Sequence, residues 1–187
     1  GEAGGKGDGG PALDASLTQP SGVAVDPKGN IFVSDYAEGI VRRVDAGSRL
    51  ISTVAGLGRN TGEGQSALAA RLGFPADIGV DKAGNVYFVD NRGSSTLRKL
   101  GVDGRLSTLI DPLPGSNRFA VDPDGIVYFG LSTSIWRMLV SGDIEVIAGG
   151  TIVGFEGDGG PASRALVNRV NDLKLDSSGN LYFYDAG

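Results

Sequence analysis

Carboxylates are the side chains through which this sequence could do chemistry. Its 187 residues include 22 Asp and Glu but no His and no Cys. A serine–histidine–acid triad, an imidazole zinc site and a thiol nucleophile are therefore excluded from this segment. Oxygen-ligated cations and carboxylate acid–base chemistry remain. What matters is whether the acidic residues converge on a ligand or serve a repeated structure.

One set of aspartates opens four similar segments: VDPKGNIFVSD at 25–35, VDKAGNVYFVD at 80–90, VDPDGIVYFGL at 121–131 and LDSSGNLYFYD at 175–185. A ring of these carboxylates could bind calcium. However, Gly follows each Asp by three residues, which is typical of a turn whose Asp accepts backbone N–H groups. We favour this structural turn, formed by Asp26 and Gly29, Asp81 and Gly84, Asp122 and Gly125, and Asp176 and Gly179.

A second set of aspartates ends three of the segments. Asp35, Asp90 and Asp185 follow an apolar run, and Leu131 replaces the Asp in the third segment. One of these carboxylates could touch a ligand. Their recurrence instead favours a hydrogen bond that fixes the neighbouring loop in each repeat.

Asp8 and Asp158 lie in two copies of a Gly-Asp-Gly-Gly-Pro-Ala motif, at 7–12 and 157–162. Such a loop can wrap a calcium ion, but one carboxylate per loop falls short of the six to eight oxygens that calcium takes. The motif also lacks the Gly-Lys-Ser/Thr ending of a phosphate loop. We expect no cofactor, with calcium at Asp8 or Asp158 as the alternative. Each loop should lead into one or two helical turns, which bury Leu13 and Leu17 in the first copy.

The four segments recur at a spacing typical of propeller blades. The turn aspartates Asp26, Asp81, Asp122 and Asp176 follow one another at intervals that leave room for four short strands in each unit. The predicted fold is all-β: a β-propeller of four-stranded blades, with about three and a half blades present. Small residues at the centre of the first strand (Ala24, Gly79 and Ala120) suit innermost strands crowded around an axis; Lys174 departs from this pattern without an explanation.

The predicted boundaries follow from this repeat. They are a linker-helix at 1–19, a blade at 20–58, a linker-helix at 59–74, blades at 75–111 and 115–149, a linker-helix at 150–167 and a half blade at 168–187. In the third strands, Trp136 aligns with Val41 and Leu97 and is expected to be a core aromatic. Arg42, Arg98 and Arg137 align with one another, which suggests a scaffold role such as pairing with a strand-end Asp.

Antiparallel strands place the connections at two ends of each blade. The tight Asp-x-x-Gly turns share one end, which should be plain, and the loops between second and third strands share the other end with the linkers. Variable loops on a rigid scaffold favour binding. The candidate ligand-face residues are therefore Asp8, Tyr36, Glu38, Asn91, Arg92 and Asp158, and no catalytic residue is assigned.

Composition narrows the classes of partner. The net charge of −5 argues against nucleic acid or an anionic membrane surface. No apolar run is long enough to insert into a membrane. The chain begins at Gly1 without a signal-like segment, so we expect a processed or truncated start.

A family resemblance rests on Val54-Ala55-Gly56, on GDGGPA-x-x-A-x-L-x-x-P at 7–20 and on GVAVDPKGNIFVSD at 22–35. These strings resemble the bacterial NHL-repeat propellers and the related propeller of teneurin-like surface proteins. The resemblance implies a six-bladed ring, whose remaining blades belong to the same longer chain or to a second copy. It also implies an extracellular or cell-surface location, with the bacterial periplasm as the alternative.

Three functions remain open at this point. The favoured one is a non-enzymatic binding or scaffold module of a secreted or surface protein, with a protein or glycan ligand on the loop end. The second is a propeller hydrolase or lyase, such as a calcium-dependent lactonase, whose catalytic residues lie in further blades. The third is a structural component of a larger assembly.

Overall fold

The computed structural model describes residues 6–115 and 118–186, so parts of the predicted segments at 1–19, 115–149 and 168–187 lie outside the described residues. The chain forms two compact units, unit 1 (Gly1–Leu113) and unit 2 (Pro114–Gly187). The strands of unit 1 are β1 (Pro20–Val25), β2 (Ile31–Asp35), β3 (Ile40–Val44), β4 (Ile51–Ala55), β5 (Pro75–Val80), β6 (Val86–Arg92), β7 (Ser94–Leu100) and β8 (Leu106–Ile110). Those of unit 2 are β9 (Phe119–Val121), β10 (Val127–Leu131), β11 (Ser134–Met138), β12 (Ile144–Gly149), β13 (Val170–Leu175) and β14 (Leu181–Asp185).

Unit 1 consists of two blades, each an antiparallel sheet in which consecutive strands are neighbours. Blade 1 has the order β1-β2-β3-β4 and blade 2 the order β5-β6-β7-β8. The order follows from the short turns, because a tight hairpin can join only antiparallel neighbours.

The core of unit 1 lies between the facing sheets of its blades. Phe32 of blade 1 belongs to the same buried cluster as Ile78 and Phe88 of blade 2, with Ala24 packed against it. Phe88 is completely buried, and burial of one such side chain is worth about 2–3 kcal/mol. Each sheet of unit 1 thus buries apolar side chains against its neighbour.

Unit 2 repeats the same architecture over a shorter length. Blade 3 has the sheet order β12-β11-β10-β9, and β13 and β14 form a separate two-stranded sheet. A buried cluster that includes Ile135, Val167, Val170 and Leu173 forms its core. The predicted all-β fold of four-stranded antiparallel blades is confirmed, with three complete sheets and one pair of strands in the described part of the chain.

The predicted linker helices are single 3₁₀ turns. They span Ala12–Asp14, Ala67–Ala69 and Ala162–Arg164, three residues each, with extended backbone on both sides. The expectation that Leu13 and Leu17 pack against the fold is wrong, because Leu13 is 99% exposed and Leu17 is 39% exposed. A three-residue turn cannot place residues i and i+4 on one face.

The predicted register of the third strands is also wrong for blade 3. The residues that pair with equivalent positions of the second strands are Arg42 with Val33, Arg98 with Phe88 and Trp136 with Phe129. Trp136 therefore stands where blades 1 and 2 have arginine, and Arg137 points to the opposite face of the sheet.

The shift arises from the loop between the second and third strands. Leu131 pairs with Ser134 across two intervening residues, whereas Asp35 pairs with Ile40 across four. The third strand of blade 3 consequently begins one residue earlier than the sequence alignment assumed. A one-residue slip moves every side chain to the other face.

Candidate functional site

The carboxylates of the Asp-x-x-Gly turns accept hydrogen bonds from groups within the same turns. Asp26 accepts the amide hydrogens of Lys28 at 2.9 Å and Asn30 at 2.8 Å, and the side-chain amide of Asn30 at 2.7 Å. Although burial opposes ionisation, these hydrogen bonds hold the pKa of Asp26 below its ordinary value. Gly29 has φ +82°, a conformation that favours glycine. The equivalent aspartates of the other segments also accept backbone amides within their turns: Asp81, Asp122 and Asp176.

The strand-end aspartates of β2, β6 and β14 hold the linker that precedes their sheet. Asp35 accepts the amides of Thr18 at 2.7 Å and Gln19 at 3.0 Å. Asp90 accepts the amide of Gly73 at 2.7 Å, and Asp185 that of Asn168 at 2.9 Å. Burial raises the pKa of Asp90 despite its hydrogen bond with Gly73. These carboxylates act as clips between a linker and a second strand.

Asp8 lies in a structural ion pair. Its carboxylate accepts Nη2 of Arg42 at 2.5 Å and the amide of Thr53 at 2.9 Å, and Nη1 of Arg42 donates to the carbonyl of Ser16 at 3.0 Å. The side chain of Arg42 is completely buried. Although burial of Asp8 opposes ionisation, the hydrogen bonds from Arg42 and Thr53 lower its pKa. The acid that Arg42 binds is thus a loop residue, not the strand-end Asp that the sequence suggested.

Glu63 makes a similar arrangement in blade 2, although it was not among the predicted candidates. Its carboxylate accepts the amide of Thr108 at 3.0 Å and the Thr108 hydroxyl at 2.7 Å. Nη2 of Arg98 lies 3.7 Å from Oε2 of Glu63 and donates to the carbonyl of Thr61 at 3.0 Å. The loop sequence here is Gly-Glu-Gly and does not match the Gly-Asp-Gly-Gly motif. Its position in the repeat does indicate it, because Glu63 precedes the turn aspartate of its blade by the same interval as Asp8 does.

The acidic loops of unit 1 lie along the outer edge strands, not at the predicted loop end. Gly9 donates to the carbonyl of Ile51, Ile51 donates to Gly10, and Gly64 donates to Leu106. These bonds use backbone groups of β4 and β8 that the sheets leave unpaired, and they cover the edges. The prediction that Asp8 shares a surface with Tyr36 is therefore wrong.

Asp158 has a different environment from Asp8. It is exposed, and no hydrogen bond or ion pair of its side chain occurs within residues 6–115 and 118–186. Its loop nevertheless has the conformation of the first, since Gly160 donates to Gly157 at 3.0 Å as Gly10 donates to Gly7 at 3.1 Å.

An aromatic pair lies at the loop end of unit 1. The ring of Tyr36, just after β2, stacks on Phe74, just before β5, with centroids 4.9 Å apart and an interplanar angle of 25°. Phe74 is 47% exposed, and it was not among the predicted candidates. Phe74 directly precedes Pro75 in the linker of the neighbouring blade, and neither repeat alone contains a signal for its contact with Tyr36.

Polar candidates surround this pair. Glu38 is exposed and accepts the hydroxyl of Thr18 at 2.6 Å. Asn91 accepts the hydroxyl of Ser95 at 2.9 Å, and the exposed Arg92 donates to the carbonyl of Arg71 at 3.4 Å. We call Tyr36, Phe74, Glu38, Asn91 and Arg92 the loop-end surface. The loop-end surface combines an aromatic pair with one acidic and one basic side chain.

The opposite end of unit 1 is not the plain surface that the sequence predicted. A cavity of about 460 Å³ opens among the tight turns of blades 1 and 2. Phe32, Val86 and Leu100 line its apolar part, and Lys28 and Lys82 its cationic part. The tight turns at this end therefore also line a cavity.

Within the described residues, no three or more His, Cys, Asp or Glu side chains lie together in a group that could hold a metal ion. No described helix is long and apolar enough to cross a membrane.

Comparisons with known proteins agree with the repeat. The NHL repeat family model matches residues 17–38, which cover the end of the first linker, β1 and β2. The blades of both units agree with this match, and the predicted resemblance to NHL-repeat propellers is confirmed.

Curated relatives and solved structures share this architecture. Teneurin-1 of Mus musculus is 27% identical over 223 residues; the alignment covers 97% of this chain but only 8% of the teneurin. A chain of the nidogen/laminin complex aligns at TM-score 0.63 with 18% identity, covering 90% of this chain and 57% of that one. A gluconolactonase from Xanthomonas campestris aligns at TM-score 0.62 with 20% identity, covering 92% and 59%. The chain is thus similar to teneurin-1 in sequence, and it is similar in fold to a chain of the nidogen/laminin complex and to a gluconolactonase.

Proposed function

We propose that the chain is a binding module of an extracellular or cell-surface protein and recognises a protein partner through the loop-end surface. The observation that carries this proposal is the stacked Tyr36–Phe74 pair, in which Phe74 is half-exposed. Aromatic side chains offer a large contact area at small entropic cost and are enriched among the residues that dominate binding energy.

The scaffold beneath the pair supports its use as an anchor. The amide of Tyr36 donates to the carbonyl of Gln19 at 2.9 Å, and that of Asn91 donates to Phe74 at 3.3 Å. Asp35 and Asp90 clip the two linkers that carry these groups. Both rings are therefore held before a partner arrives, which lowers the cost of ordering them on binding.

The charges beside the pair favour a protein over an apolar ligand. Glu38 and Arg92 are both exposed at this end of the unit and differ in sign. Charges of opposite sign beside an aromatic anchor favour partners with complementary charges and fix their orientation. Similarity to teneurin-1, and to a chain of the nidogen/laminin complex in fold, supports an extracellular protein partner.

Biolayer interferometry against a panel of purified extracellular proteins, including laminin and a teneurin-1 ectodomain, tests this proposal. We expect at least one probe to bind, and Phe74→Ser or Tyr36→Ser to weaken that binding roughly tenfold or more. Leu13→Ser is the matched control, since Leu13 is fully exposed on a 3₁₀ turn outside the loop-end surface. Equal binding by wild type and Phe74→Ser, or no binding to any probe, overturns the proposal.

The lactonase alternative has its own assay. Hydrolysis of gluconolactone in the presence of calcium would place the chain with the enzymes that share its fold. Activity that persists in Phe74→Ser would locate the chemistry away from the loop-end surface.

A further inference from the structure

The cavity among the tight turns of blades 1 and 2, which we call the inter-blade cavity, lies between two complete four-stranded sheets. The turns that join β1 to β2, β5 to β6 and β7 to β8 all contribute to its lining, together with the linker between the blades. Its volume is about 460 Å³, which falls within the range of about 300–1,000 Å³ typical of small-molecule sites. The cavity is thus large enough for a small ligand.

Hydrogen bonds between neighbouring turns hold the walls of the inter-blade cavity in place. In blade 1, the side-chain oxygen of Asn30 accepts the amide of Ala46 at 3.0 Å, and in blade 2 that of Asn85 accepts the amide of Val102 at 3.1 Å. Each of these asparagines also donates to the aspartate of its own turn at 2.7 Å. The walls are therefore ordered before a ligand enters, which lowers the cost of binding.

The inter-blade cavity has an apolar base and an apolar rim. Phe32, Val86 and Leu100 line it and are buried, at 6%, 1% and 6% exposure. Leu68 of the linker and Val102 of the β7–β8 turn also line it, but they are 44% and 71% exposed. A ligand with an apolar body would remove this surface from water, which is favourable.

The charged side chains of the inter-blade cavity favour an anion. Lys28, Arg43 and Lys82 line it together with a single carboxylate, Asp26. Asp26 accepts hydrogen bonds within its own turn, and Arg43 is paired with Asp45 at 2.5 Å. Lys28 is exposed, and within residues 6–115 and 118–186 its side chain makes no hydrogen bond or ion pair. In a chain with a net charge of −5, a local excess of cations attracts an anionic ligand.

We propose that the inter-blade cavity binds a small carboxylate with an apolar body. The apolar body lies against Phe32, Val86 and Leu100, and the ammonium group of Lys28 donates to the carboxylate in a charge-assisted hydrogen bond. The ligand is a free acid and not a lipid surface, because the net charge of −5 disfavours anionic membranes. This binding site lies at the opposite end of unit 1 from the loop-end surface and is additional to protein recognition.

Isothermal titration calorimetry with octanoate, hexanoate and octan-1-ol tests the proposal on the intact chain. We expect octanoate to bind with one-to-one stoichiometry. Hexanoate should bind about 15-fold more weakly, because burial of each of the two missing methylenes strengthens binding roughly fourfold. Octan-1-ol keeps the chain but lacks the charge, and it should bind about tenfold more weakly than octanoate.

Substitutions separate the charged contact from the apolar one. Lys28→Gln should weaken octanoate about tenfold and leave octan-1-ol unchanged. Its matched control is Lys174→Gln, the same change at a lysine of unit 2 that is 65% exposed, which should affect neither ligand. Leu68→Ser should weaken both ligands several-fold, whereas Leu13→Ser, on the equivalent 3₁₀ turn of the first linker, should weaken neither. Circular dichroism checks that each variant is folded.

Amide chemical shifts locate the bound ligand. In ¹⁵N-resolved spectra, octanoate should shift the amides of Gly84 and Gly101, which line the inter-blade cavity, and leave that of Gly73, which adjoins the loop-end surface, in place. Three results overturn the proposal: no binding at millimolar octanoate, equal affinity for octanoate and acetate, or shifts confined to Gly73. An equal loss of octanoate and octan-1-ol affinity in Lys28→Gln also overturns it, because the lysine would then make no contact with the carboxylate.

Discussion

Asp8→Asn distinguishes a stabilising ion pair from a ligand-binding carboxylate. The Asp8 carboxylate receives the buried Arg42 guanidinium at 2.5 Å and the Thr53 amide at 2.9 Å. Hydrogen bonds to charged groups contribute roughly 1.5–3 kcal/mol each. Because the side chain of Asp8 is 34% exposed, solvent screens part of this interaction. We expect the free energy of unfolding to fall by about 2 kcal/mol, after allowing for that screening.

The pH dependence of this loss follows from the pKa of Asp8. Hydrogen bonds from Arg42 and Thr53 outweigh burial and lower that pKa in the folded protein. The carboxylate therefore stabilises the fold above its unfolded pKa of about 3.9, and this contribution disappears as the pH falls through the lower, folded value. Urea denaturation should show the full difference between wild type and Asp8→Asn at neutral pH and a smaller one at about pH 3.

Asp158→Asn is the matched control for this experiment. It makes the same substitution in the same Gly-Asp-Gly-Gly motif, at an exposed position. Its effect on unfolding should stay within about 0.5 kcal/mol, as is usual for surface changes. Equal losses in the two variants, or a loss in Asp8→Asn that does not vary with pH, would refute the assignment of Asp8 to an ion pair.

Three further predictions concern the turns, a clip and calcium. Gly29→Ala should cost about 1 kcal/mol in urea denaturation, because Gly29 has φ +82°, whereas Gly47→Ala, without a positive φ, should cost little. Burial raises the pKa of Asp90, so wild-type stability should rise as the pH falls through the folded pKa towards the unfolded value, and thermal melts of Asp90→Asn should lack this rise. Millimolar calcium should not raise the melting temperature of the protein; a rise that Asp158→Ala abolishes would contradict the structural interpretation of that loop.

The repeated hairpins could be predicted from the sequence because their signals are local. Asp26 and Gly29 fix a turn through contacts within five residues, and the short apolar run that follows favours a strand. The same short range explains why the four-stranded blade was predictable from its turns.

The positions of the acidic loops depend on longer contacts. Asp8 meets Arg42 and Thr53 at sequence separations of 34 and 45 residues, and no local pattern specifies such a contact. The predicted register of the third strand of blade 3 was wrong for a related reason. Two residues separate Leu131 from Ser134, and an alignment of strand sequences does not detect the shorter turn.

The loop-end surface was only partly predictable. Tyr36 and Arg92 could be predicted, because they lie where the antiparallel second strands of their blades end. Phe74 belongs to the linker of the neighbouring blade, and its contact with Tyr36 exists only because the two blades of unit 1 pack together. A side chain contributed across blades has no signal within either repeat.

The acidic loops of unit 1 cover the outer edge strands of blades 1 and 2. A fourth strand exposes unpaired backbone groups, and such edges invite aggregation. In blades 1 and 2 the loop pairs with that strand and its acid binds an arginine from the strand beneath. Blade 3 instead has Trp136 at that position and links Arg137 to Glu145 on the other face at 2.5 Å. The loop acid therefore accompanies a buried arginine of the third strand and is not a feature of blades in general.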